Sequence, residues 1–113
     1  MTYITDNDIL RRAAVSHRVG CLEEAAELTS GDRNEAYGDP VQNHQHIANI
    51  FNAITGRNLS AREIAILHQA TKLARRFNNP LHRDSYVDGM AYAGIEYECA
   101  LADFAPRDAE AQQ

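Results

Sequence analysis

A chain of 113 residues, 44% apolar and 24% charged, has the size of one domain and the apolar content of a folded one. Its net charge of −5 excludes a generic nucleic-acid binder, which needs clustered Lys and Arg to displace counterions from phosphate. Cys21 and Cys99 form no CxxC pair and no stretch reaches the ~20 apolar residues of a membrane span, so the expectation is a cytoplasmic protein without disulfide framework, zinc ribbon or membrane association.

Apolar residues recur at spacings of three and four, which predicts helices and no strand. The first helix is expected from Thr5 or Asp6 to about Thr29, with Ile9, Ala13, Val19, Leu22 and Leu28 among its apolar residues and Gly31 as a left-handed stop. GDRNEAYGDP, residues 31 to 40, is rich in turn formers. Asp39 can cap a second helix whose first turn begins with Pro40, and Ile47, Ile50, Phe51 and Ile54 are its expected buried face, up to Thr55 and Gly56. Ser60 and Glu63 form a capping box that opens a third helix, running to about Phe77. Its apolar residues, Ile64, Ile66, Leu67, Ala70, Leu73, Ala74 and Phe77, surround most of the axis, as in a helix buried on more than one side. NNP breaks it, and a fourth helix is expected from near His82 to Phe104. The short connections fit an all-α antiparallel four-helix bundle over residues 1–104, with a frayed tail over 105–113. A domain this small has modest surface to bury, which makes a homo-oligomer a reasonable way to complete the core.

Two ladders of like charge stand out. Glu24 and Glu27 share a face of the first helix, and Asp84 and Asp88 stack one turn apart on the fourth. Both could be solvated faces. If they converge, their repulsion calls for a hard divalent cation such as magnesium, held by carboxylate oxygens. Lys72, Arg75 and Arg76 place a basic face on the third helix, with His68 one turn before Lys72. That face either neutralises ligand phosphates or forms a salt-bridge set with Asp84 and Asp88. His44 and His46 point in different directions on a helix, which argues against a shared metal, while His44 and Asn43 can each hydrogen-bond a ligand. His82 is a further ligand candidate beside Asp84. Tyr37 and Tyr92 could stack on a base, although aromatic residues at such spacings also serve simply as core.

EEAAELTSGDR, then YGDP followed by NH, then KLAR, then DSYVDGMAYA together resemble a small helical family of unknown function found widely in phages and prophages. The likeness covers roughly residues 20 to 98. More distantly, the ExxE of Glu24 and Glu27 followed by an acidic helix looks like the MazG-like all-α nucleoside triphosphate pyrophosphatases, which hold magnesium with ExxE and ExxD pairs. That resemblance implies Glu24, Glu27 and Asp88 as metal ligands and catalytic residues, with Lys72 and Arg75 toward the phosphates. The sequence departs from the pattern at Ser85, where ExxD places Glu. Asp84 is one position out of register, a rotation of about 100° on a helix with ~3.6 residues per turn.

Three functions are compatible with these features. The first is magnesium-dependent cleavage of a nucleoside triphosphate to the monophosphate and pyrophosphate in an infected or lysogenic bacterial host. A second is a non-catalytic protein that sequesters a nucleotide or cyclic nucleotide against host defence. The third is a helical interaction module with its charges in water.

Overall fold

Residues 16–30 and 38–106 are described in the computed structural model, and among them there are helices and no strand. The helices are α1, His17–Leu28; α2, Pro40–Thr55; α3, Ala61–Asn78; and α4, Arg83–Phe104. The all-α expectation holds, and three of the four helices lie within a residue of their expected limits because their ends carry explicit chemical signals. Asp39 Oδ2 accepts the Gln42 N–H at 3.1 Å, with Pro40 at the first helical position. Ser60 and Glu63 complete the reciprocal capping box, and Gly56 closes α2 in the left-handed region at φ 73°.

The first helix differs from expectation. Ser16 is extended, at φ −61° and ψ 140°, and its hydroxyl caps Val19 N–H, so α1 starts at His17 and no helix runs through from Asp6. A hydroxyl able to satisfy a free N–H favoured a helix start over continuity. The segment before Ser16, the stop at Gly31 and Tyr37 lie outside the described residues.

The α2 to α3 turn is held by one side chain. Asn52 Oδ1 accepts the Leu59 N–H at 2.8 Å and its amide donates to the Leu59 carbonyl at 2.9 Å, which fixes the chain between the two helices. α3 and α4 form an antiparallel pair, bridged at one end by Gln69 and Arg62 on Glu96 and at the other by Lys72 on Asp88. Beyond that pair the Arg76 guanidinium lies across α4, 4.8 Å from the Tyr86 ring centroid. A Cβ at position 89 would fall 2.6 Å from its Nη2, so glycine there makes room for the crossing. α1 packs on the first half of α4: Cys21 and Ala25 meet Val87, and Glu24 bonds Arg83.

The core is made of small side chains. Ala61, Ala65, Ile95 and Cys99 form one cluster and Cys21, Ala25 and Val87 the other. Both thiols are free. Cys99 is buried, and this desolvation, followed by the nearby Asp103 and other acidic groups, pushes its thiol pKa upward. The expected apolar faces of α2 and α3 are in part corrected. Ile50, Ile54, Ile66, Leu67, Leu73 and Phe77 are exposed in this single chain, reaching 81% at Phe77. α2 buries His44 and Ala48, with Val41, Ile47 and Phe51 partly covered, a stripe of the same 3.6-residue period turned away from Ile50 and Ile54.

Candidate functional site

A cleft of about 440 Å³ opens where the end of α1, the start of α2 and the middles of α3 and α4 come together. This volume is within the ~300–1,000 Å³ typical of small-molecule sites. Leu28 and Thr29 form one edge, Asn43, His44 and Ile47 descend from α2, His68 comes from α3, and Asp88, Tyr92 and Ile95 from α4.

At its base three rings meet. His44 and His68 lie edge to face with centroids 5.0 Å apart, and Tyr92 is 4.5 Å from His68 and 5.9 Å from His44. His44 is 3% exposed and fully hydrogen-bonded. Its Nδ1 is 2.8 Å from the Pro40 carbonyl oxygen, and its Nε2 is 3.1 Å from His68 Nδ1. A carbonyl oxygen only accepts, so His44 carries its proton on Nδ1, and its bare Nε2 accepts from the Nδ1–H of His68. Every buried polar atom of His44 is thereby satisfied.

Burial lowers the His68 pKa below its usual 6.5, and His44 and then Lys72 add to the effect. In the unfolded chain His68 recovers the ordinary value. Below pH 6.5 the unfolded state therefore takes up a proton that the folded state resists, and stability is lost as pH falls from there toward the lowered folded value. Urea midpoints at pH 7.5 and pH 5.5 should show this loss in the wild type and a smaller one in His68→Gln.

One rim of the cleft carries charge. Lys72 Nζ is 3.1 Å from Asp88 Oδ2, with the lysine side chain 16% exposed and the aspartate 33%. Of the candidates named from the sequence, Asn43, His44, Tyr92 and Asp88 line the cleft together with His68. The other candidates lie elsewhere. Glu24 accepts from Arg83 at 2.9 Å, an exposed contact that holds Arg83 in its charged state. Glu27, Asp84 and Arg75 are exposed, and His82 Nδ1 stands 2.6 Å from the hydroxyl of buried Ser85 at the start of α4. His82 and Arg75 line a separate shallow hollow at the α3 to α4 turn. Of the basic set on α3 only Lys72 pairs with the acidic ladder, since Arg76 sits over Tyr86 and Asp84 has no salt bridge among the described residues.

The carboxylates as arranged do not fit a magnesium ion. Among the described residues no three His, Cys, Asp or Glu side chains stand close enough to hold a metal, and Glu24 and Asp88 each end on a cation.

His44 had a readable signal. It falls on the Val41, His44, Ala48, Phe51 stripe, spaced three and four, which is the buried face of α2. Its partnership with His68, 24 residues away, depends on how α2 meets α3 and leaves no local trace.

The profile of the family described as a domain of unknown function (DUF6378) matches residues 20–100, and the chain belongs to that family. It is 40% identical to the Gene 55 protein of Mycobacterium phage D29 over 73 residues, covering 65% of this chain and 48% of that protein. It is 35% identical to the Gene 55 protein of Mycobacterium phage L5 over 75 residues, covering 66% and 48%. The chain thus spans about half the length of these curated relatives. No solved structure matches it. Among the described residues no helix is long and apolar enough to cross a membrane.

Proposed function

We propose that this phage-family protein binds a nucleotide in the cleft between α2, α3 and α4, inside the infected or lysogenic bacterial cell, and sequesters it without turnover. The observation that carries this reading is the cluster of His44, His68 and Tyr92 at the base of a cleft of about 440 Å³. Planar π-faces favour a planar heterocycle, and the polar groups of Asn43, His68 and Asp88 at the same cleft can read its edge. Lys72, now neutralised by Asp88, is the cation nearest at hand for a phosphate.

The MazG-like reading, hydrolysis of a nucleoside triphosphate with magnesium, draws support from α1 packing on the half of α4 that carries Asp84 and Asp88. It requires Glu24, Glu27 and Asp88 to leave their present positions and converge, so no step is assigned to a metal. Self-association belongs to the same proposal. The exposed side chains of Ile50 and Ile54 on α2, and of Leu73 and Phe77 on α3, are apolar surface that a second copy could cover.

The deciding experiment incubates the protein with magnesium and a panel of ribo- and deoxynucleoside triphosphates, following pyrophosphate release and thermal stability together. Sequestration predicts stabilisation, about 2.7 kcal/mol at ~100 times Kd, and no pyrophosphate. Release that disappears in Glu24→Gln would move the assignment to hydrolysis. Absence of both signals would sink the nucleotide reading.

A further inference from the structure

Two histidines in contact could each adopt either tautomer, but here the choice propagates from the backbone. Pro40 offers only a carbonyl acceptor to His44 Nδ1, which must be protonated. His44 Nε2 is therefore an acceptor, and His68 Nδ1, 3.1 Å away, must supply the proton. In neutral His68 the remaining nitrogen, Nε2, then carries a lone pair. It makes no hydrogen bond to any described residue, and its side chain lines the cleft.

We propose that His44 is a positioning residue that holds His68 in the Nδ1–H tautomer, so that the cleft presents His68 Nε2 as a hydrogen-bond acceptor for an N–H donor on the edge of a bound nucleobase. The ligand class rests on the nucleotide reading above. The tautomer does not.

Protonation of His68 would turn Nε2 from acceptor to donor and set it against the ligand's own N–H. The titratable and charged groups around it are His44 from α2, Lys72 on its own helix, and Asp88 and Tyr92 from α4, while α1 contributes the uncharged Leu28 and Thr29. Desolvation, His44 and Lys72 all act to keep the ring neutral near pH 7. Ligand binding should accordingly weaken as the medium is acidified through the titration of His68.

Long-range ¹H–¹⁵N spectra of the uniformly labelled full chain at pH 7.5, without ligand, read the tautomers directly. Both His44 and His68 are expected to carry the proton on Nδ1, and a His68 protonated on Nε2 would overturn the proposal whether or not any nucleotide binds. In His44→Phe, which keeps a ring in the pocket, His68 should show mixed tautomers and titrate closer to 6.5. A His68 unchanged in that variant would remove the positioning role. The wild-type spectra need no variant and decide the tautomer even if His44→Phe does not fold.

For the ligand, the tightest-binding of the four deoxynucleoside monophosphates is compared with its N-methylated counterpart lacking base N–H groups. Loss of one such hydrogen bond should weaken binding about tenfold. Equal affinity would overturn the donor assignment. If no nucleotide binds, the ligand class falls with the nucleotide reading, while the spectra still decide what His44 does.

Discussion

Ile64→Ala should destabilise the protein by about 3 kcal/mol, the range for truncating a fully buried isoleucine, where the transfer and cavity terms add. At 1% exposed, Ile64 is among the largest side chains that the chain buries completely. The core clusters beside it are mostly alanine, cysteine and valine, so Ile64 is a large share of the apolar volume that the described residues bury. A domain of this size should lose roughly 15 °C in Tm at about 4–8 °C per kcal/mol. Urea unfolding would show a lower midpoint at unchanged slope.

Phe77→Ala supplies the contrast. At 81% exposed in the single chain, this side chain should contribute within ~0.5 kcal/mol if the protein is a monomer. A larger, concentration-dependent loss would show that the α3 face carrying Leu73 and Phe77 is covered by a second copy, since mass action makes a dimer's stability depend on protein concentration.

This distinction explains why helix limits were legible in the sequence and burial was not. A cap is a local transaction. Ser60 and Glu63, or Asp39 with Pro40, satisfy backbone N–H groups within four residues, and the structure repeats what the letters say. Ser16 shows the limit of that legibility, because apolar spacing continues on both sides of it in the sequence and does not mark the break. Burial is a property of pairs of helices. Apolar spacing marks Ile50, Ile54, Leu73 and Phe77 as surface that should be covered without stating by what, and in one chain α4 and α2 cover other faces of their neighbours. The faces in contact are instead those of Ala61, Ile64 and Ala65, and of Val41, His44 and Ala48.

The site divides in the same way. Asn43, His44, Asp88 and Tyr92 could be named from residue chemistry, and they meet in the cleft. The acidic ladders could be named too, but whether they converge depends on the crossing of α1 and α4. There one carboxylate of each ladder is paired with a cation, Glu24 with Arg83 and Asp88 with Lys72. For Asp88, beside a lysine largely withdrawn from solvent, leaving the carboxylate unpaired would be costly, whereas Glu24 on Arg83 is an exposed contact of small energy.

His44→Ala should cost about 3 kcal/mol, as much as a core aliphatic, although histidine is polar. Two separable losses make up that figure. One is packing: the ring is 3% exposed and stands edge to face with both His68 and Tyr92, so truncation leaves a cavity under the cleft. The other is polar: His68 Nδ1–H loses its acceptor, whereas the Pro40 carbonyl keeps its helical hydrogen-bond position. His44→Phe restores the ring and none of the hydrogen bonds, so it should cost only about 1–2 kcal/mol, the penalty for one partly buried donor left unsatisfied. Chemical denaturation of both variants at pH 7.5 measures the split. If phenylalanine costs as much as alanine, the hydrogen-bonded relay dominates and the ring contacts are incidental. If phenylalanine costs nothing, His44 is there for volume, stability gains nothing from the relay, and the reason for a histidine in that stripe must lie in what it does to His68.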